Sequence, residues 1–174
     1  IAALVAADPN EPAADVGQSA QIEDGYGFRP LRLLLERQGS HRIGADRLPA
    51  MLRTLSIADP GGVAQREVIE MSNSALSKTH QAQIGKRCGR TCLHLICERS
   101  DVSHEMIYAL LHPREDLIVS DVCIVQDNQG RTPLHTLCEN EAMTDDVLRA
   151  LISMDSNVSV VTNHDGLTPL QTLC

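Results

Sequence analysis

The chain has 174 residues, 43% hydrophobic and 22% charged, with Tyr26, Phe28 and Tyr108 as its only aromatics, so a core is within reach of the length and has to be aliphatic. Fifteen Lys and Arg against 23 Asp and Glu leave a net charge of −8, which opposes phosphate backbones and anionic lipid and excludes nucleic acid and membrane surface as first choices of partner. The shortage of aromatics also argues against a single-strand binder that stacks bases.

Taken in chain order, the elements alternate between two patterns. Ile1–Asp8 is an apolar run closed by Asp8-Pro9, because proline cannot continue a helix. Gly27-Phe28-Arg29-Pro30-Leu31-Arg32-Leu33-Leu34-Leu35-Glu36 opens a short helix, and Leu52–Asp59 forms a longer one that Pro60 stops. Residues 61–87 match neither pattern; they read as a long insertion or as a worn repeat with helices near Ala64–Met71 and Ala75–Gln83, the insertion being preferred. Gly89–Glu98 and Gly130–Glu139 are short helices, followed by Tyr108–Glu115, interrupted at His112-Pro113, and by Leu148–Asp155. Gly166–Cys174 begins one more short helix.

These elements are copies. Gly130-Arg131-Thr132-Pro133-Leu134-His135-Thr136-Leu137-Cys138-Glu139 recurs at Gly89–Glu98 and at Gly166–Cys174, and in degenerate form at Gly27–Glu36, where the Thr and the His are lost. Thr132 is suited to cap a helix and Pro133 to its first position, while Leu134, Leu137 and Cys138 share one face. In the second pattern Val147, Leu148, Leu151 and Ile152 repeat that spacing behind Thr144-Asp145-Asp146, whose negative charge offsets the helix dipole. Gln126–Gly130 and Asn163–Gly166 read as tight turns. Each unit is therefore a turn, a short helix and a longer helix, too small to bury its own apolar face and in need of stacked neighbours.

The pattern resembles the ankyrin repeat family, through Thr132-Pro133-Leu134-His135 and the partial matches Thr91-Cys92-Leu93-His94 and Thr168-Pro169-Leu170-Gln171. The resemblance implies an all-α fold, an α-solenoid of stacked helix-turn-helix ankyrin-like repeats joined by β-turn or hairpin connectors. The units would run 1–23 (partial), 24–60 (degenerate), 61–87 (insertion or worn repeat), 88–126, 127–162 and 163–174 (partial). The signature positions are Thr91, Leu93, His94, Gly130, Thr132, Pro133, Leu134, His135, Gly166, Thr168, Pro169 and Leu170. Ile1 is not an initiator Met and the chain stops inside a helical pattern, so a fragment of a longer protein is expected. The spacings between successive glycines, 62, 41 and 36 residues, exceed the usual repeat of about 33. Most of the excess sits in the connectors.

Candidate chemistry is sparse. His94 and His135 occupy one offset, and the resemblance implies that they bond the turn backbone and the adjacent unit. Cys88, Cys92, His94 and Cys97 place soft ligands close together, but zinc needs four converging donors, commonly in two spaced pairs; Cys97, Cys138 and Cys174 align instead as one small buried position. Paired acids such as Asp145-Asp146 and Glu139/Glu141 lack a partner base, and Glu36, Glu98 and Glu139 recur as part of the repeat. Gly61-Gly62 lacks the Lys and Ser or Thr of a phosphate loop. No catalytic, metal or cofactor site is predicted. Six Cys without a secretory signal point to a reducing intracellular compartment, the cytoplasm ahead of the nucleus.

The expected function is a non-catalytic protein-binding module, monomeric in isolation, that grips its partner through the concave first-helix surface and through the turn tips Gln126, Asp127, Asn128, Gln129, Asn163, His164 and Asp165. The acidity favours a partner with a basic patch. The alternatives are a regulatory or scaffolding arm of a larger enzyme or channel and, more remotely, a metal-dependent enzyme built on the Cys88–Cys97 cluster.

Overall fold

The computed structural model describes residues 18–24, 28–36, 46–65, 89–115 and 118–173, and these are mostly helical. Seven α-helices are described in full: α1 (Pro30–Glu36), α2 (Leu48–Ala58), α3 (Pro60–Val63), α4 (Cys92–Cys97), α5 (His104–Leu111), α6 (Pro133–Cys138) and α7 (Asp145–Met154). Three 3-10 helices join them: η1 (Ser120–Ile124), η2 (Ser156–Ser159) and η3 (Pro169–Leu173).

The short helices pack in one row, α1 on α4, α4 on α6 and α6 on η3; the longer ones pack in a second, α2 on α5 and α5 on α7. Between the rows lies an aliphatic core that includes Leu31, Leu35, Leu48, Leu52, Leu93, Ile96, Met106, Leu110, Leu134, Leu137, Val147 and Leu151, all buried. Helices of six to eight residues have too few internal bonds to persist alone, so their order comes from this burial rather than from propensity. The expected face Leu134, Leu137 and Cys138 is buried, as is Val147 with Leu151; Leu148 and Ile152 are only partly covered.

Local signals set the ends. Ser103 caps α5 and Thr144 caps α7, each oxygen accepting the N–H three residues on, from Met106 and Val147. These caps are 41 residues apart, as are Gly89 and Gly130. Ile107, rather than Tyr108, is thus the counterpart of Leu148, a one-residue correction to the alignment drawn from the sequence. Pro60 does more than stop α2: Asp59 ends that helix and Pro60 opens α3 at once. Within α3, Val63 is fully buried and the Gly62 carbonyl accepts from the Cys92 thiol at 3.4 Å. Residues 61–63, assigned to the insertion, are therefore part of the packed body, while most of the two helices anticipated near Ala64–Met71 and Ala75–Gln83 lies outside the described residues. The third signature copy also departs from expectation. Residues 169–173 form a 3-10 turn, and Leu170 is half-exposed where Leu93 and Leu134 are buried.

The turns depend on glycine. Gly89, Gly130 and Gly166 have φ of 82°, 75° and 78°, a region that costs an L residue about 1 kcal/mol or more. Their surroundings differ. A Cβ on Gly130 would lie 2.7 Å from the His164 backbone nitrogen, whereas one on Gly166 meets nothing within 4 Å. Gly166→Ala is expected to cost about 1 kcal/mol of unfolding free energy, and Gly130→Ala at least about 1 kcal/mol more because the adjoining turn must move. Urea unfolding of both variants checks this, and equal losses would contradict the close stacking of the two turns.

Candidate functional site

The turns and the first helices form one connected polar system. In the turn at 127–130 the Gly130 N–H donates to the Asp127 carbonyl at 3.0 Å, and at 163–166 Gly166 bonds Asn163 in the same way. The side chain three residues before each glycine completes the turn. Asp127 Oδ1 accepts from the N–H groups of Gln129 and Arg131, and Oδ2 from the Arg131 guanidinium at 3.0 and 3.2 Å. Asn163 Oδ1 accepts from Asp165 and Leu167, and Asp24 Oδ1 from Phe28. These are Asx turns.

This corrects one expected contact residue. Asp127 is 3% exposed and its carboxylate is taken up by its own turn and by Arg90 Nε at 4.0 Å, so it builds the tip rather than presenting itself to a partner. Asn128, His164 and Asp165 are exposed, and Gln126, Gln129 and Asn163 are half-buried. Neighbouring tips are tied together: the Gln126 amide donates to the Thr162 carbonyl at 2.8 Å, and the His164 N–H to the Gln129 carbonyl at 3.1 Å.

Behind the tips, Thr132 sits at the N-cap of α6 and His135 at the third helical position, a capping-box arrangement with His in place of Glu or Gln. Nδ1 of His135 accepts from the Thr132 N–H at 3.1 Å and lies 2.8 Å from the Thr132 hydroxyl. A backbone N–H can only donate, so Nδ1 carries no proton; Nε2 carries it and donates to the Leu167 carbonyl of the next unit at 3.0 Å. His94 repeats every element of this, with Nδ1 on Thr91 and Nε2 on the Arg131 carbonyl at 3.0 Å. Both rings are fully occupied.

The degenerate copy keeps the function of this position with a different side chain. Arg32 stands where His94 and His135 stand, and its Nη1 donates to the Arg90 carbonyl at 2.7 Å. Arg90, Arg131 and Leu167 are all the residue after the turn glycine, so Arg32, His94 and His135 each reach the same carbonyl one unit on. The guanidinium is wholly buried, held also by Glu36 at 2.8 Å and lying 5.2 Å from the Phe28 ring centre. Gln171, the fourth member, retains the inward half of the device: its Oε1 accepts from the Thr168 N–H at 2.9 Å. A reverse tie runs from the Asn140 amide to the carbonyls of Cys97 and Arg99 at 2.7 and 2.8 Å. The recurring glutamates also acquire a reason, since Glu98 and Glu139 pair with the Arg that follows each glycine, Arg90 at 2.6 Å and Arg131 at 3.0 Å.

The soft-ligand cluster separates into structural roles. The Cys92 thiol faces the Gly62 carbonyl, both His94 nitrogens are engaged, and Cys97 is packed in the core. Cys88 lies outside the described residues, and no group of three His, Cys, Asp or Glu suited to a metal occurs among those described. Burial pushes the Cys92 and Cys123 thiols up to about 12 and Cys138 up to about 11; Cys97 is raised further by burial and by Cys123 and Cys138 beside it. Thiolate is the reactive form. Peptide mapping after Ellman-type labelling of the native protein should find Cys92, Cys97, Cys123 and Cys138 unmodified until denaturant is added; rapid native labelling of any of them would overturn their placement.

Burial pulls the His94 imidazole down from 6.5 to about 4. The folded chain therefore rejects a proton that the unfolded chain accepts. The contribution is complete above pH 6.5 and is lost as pH falls from 6.5 through 4, the loss reaching about 3 kcal/mol once both pKa values are passed. Because Gln171 serves at the equivalent position, His94→Gln is the fitting control. Wild-type protein should lose about 3 kcal/mol more than this variant between pH 7 and pH 4 in urea titrations, and parallel pH profiles would refute the assignment.

Among the described residues no helix is long and apolar enough to cross a membrane. No protein-family model matches the chain, and no curated protein is similar to it in sequence.

Proposed function

We propose that this chain is an ankyrin-like repeat array, an α-solenoid that serves as a non-catalytic protein-binding module inside the cell. The observation that carries the reading is the recurrent tie from the first helix of one unit to the carbonyl after the next turn glycine, made by Arg32, His94 and His135 in turn. A device repeated along a row builds a regular, extensible surface instead of a single pocket, and such surfaces serve macromolecular partners. The polar side chains with a chemical role elsewhere, His94, His135, Asp127 and the buried thiols, are here committed to architecture.

The same tie supports the arrangement of units. Arg32 reaches Arg90 directly, α1 packs on α4 and α2 on α5, so the unit beginning near residue 24 is followed in the stack by the unit beginning near residue 88.

Asn128, His164 and Asp165 are the tip residues free to meet a partner. Affinity capture with the full-length protein should recover a partner that the Asn128→Ala/His164→Ala/Asp165→Ala variant loses, while far-UV circular dichroism and melting temperature stay unchanged. Undiminished capture by the triple variant would remove the turn tips from the interface.

A further inference from the structure

Net charge is distributed unevenly along the chain. Residues 118–173 contain eight Asp or Glu and two Arg, so six of the eight net negative charges lie there. One of the two cations, Arg131, is already paired with Asp127 and Glu139. Asp121 in η1 and Asp165 at the last turn tip are exposed, and neither has an ionic partner among the described residues.

Aliphatic side chains emerge through this acidic surface. Ile124 is 42% exposed, Val160 68% and Ile118 57%. Ile124 and Val160 both stand six residues before a turn glycine, and two residues further along the connectors are joined by the Gln126 to Thr162 bond. η1 packs against η2, and Cys123 of η1 feels the charges of both Asp155 and Asp121. Two equivalent aliphatic positions thus stand on adjacent connectors, and Asp121, three residues before Ile124 on the same side of η1, has no ionic partner among the described residues. Exposed aliphatic surface gains free energy by leaving water, and a carboxylate beside it selects what may cover it.

The geometry points to a docking strip along η1 and η2, formed by Ile124 and Val160 with Asp121 beside them, for a polypeptide segment in which Lys or Arg alternates with aliphatic residues. The assignment rests on the protein-binding reading above and specifies where and what it binds. Phosphate-bearing polymers and anionic bilayers meet the same carboxylates as repulsion. An apolar segment without cations covers the aliphatics and leaves the charge unanswered.

The test is a fluorescence-anisotropy titration of the full chain with three labelled synthetic peptides: alternating Leu and Lys, the same peptide with every Lys acetylated, and oligolysine of equal charge. The Leu–Lys peptide should bind at least about tenfold more tightly than either control. Val160→Ser and Ile124→Ser, made separately so that one folded variant suffices, should each weaken it severalfold with the circular dichroism spectrum retained. Asp121→Asn should flatten the salt dependence. Equal binding of oligolysine, indifference to both serine variants, or absence of binding would overturn the strip. Wild-type dimerisation in sedimentation that Val160→Ser abolishes would instead assign the face to a second copy and overturn it as well. If the peptides fail while the turn-tip variant still loses its captured partner, the strip is wrong and the binding module stands.

Discussion

One carbonyl organises this molecule. The residue after each turn glycine has its backbone oxygen turned towards the preceding unit, and a side chain from that unit's first helix reaches it. A single such bond contributes about 1 kcal/mol net, yet leaving the buried carbonyl unsatisfied would cost more than the bond returns. The requirement fixes the distance and rotation between units, so it constrains the placement of the turn, the helix that follows and the tip that projects beyond them. Glycine at positive φ is the other half of the constraint, because it turns the chain sharply enough for the next residue to present its oxygen.

Histidine suits the position because it satisfies two demands with one rigid ring. Nδ1 accepts from the helix N-terminus and Nε2 donates across the interface, 3.1 and 3.0 Å away in both complete copies. Only the neutral ring with its proton on Nε2 can do both. The alternatives used in this chain show which demand is separable. Arg32 supplies the donor without the acceptor, and the Arg29 N–H is then met by Gln65 Oε1 at 3.4 Å; Gln171 supplies the acceptor with its oxygen. A charged guanidinium in that buried setting requires its own compensation, which Glu36 and the Phe28 ring provide.

That substitution explains how far the sequence could be read. The helices and turns were legible because their signals are local: glycine before an N-cap, apolar residues at helical spacing, and proline after α2 and α5. The equivalence of Arg32 with His94 was not, since it resides in what the side chain reaches 58 residues away and not in residue type. Residue type likewise misplaced Asp127, because turn-forming and partner-facing residues draw on the same short polar side chains and only burial separates them. The role of α3 was hidden for a further reason. Pro60-Gly61-Gly62 reads as a break in isolation, and its short helical turn persists because Val63 is buried and α3 rests on both α1 and α4.

The same constraint separates the frame from the free surface. Along the first-helix row Arg32, His94, His135, Gln171, Glu98 and Glu139 are committed to the next carbonyl, the N-cap or the adjacent arginine, and substitution there alters the stack. Along the connectors the ties between units are made by the His164 N–H and the Gln126 amide, and the side chains of Ile124, Val160, His164 and Asp165 are exposed. Connector length is the least restricted quantity in the repeat, because loop closure cost rises slowly with length. The 41- and 36-residue spacings can therefore differ without disturbing the rows. Variation and exposure coincide on the connectors, and architecture and burial coincide on the helices, which separates a surface free to specialise from a frame that is not.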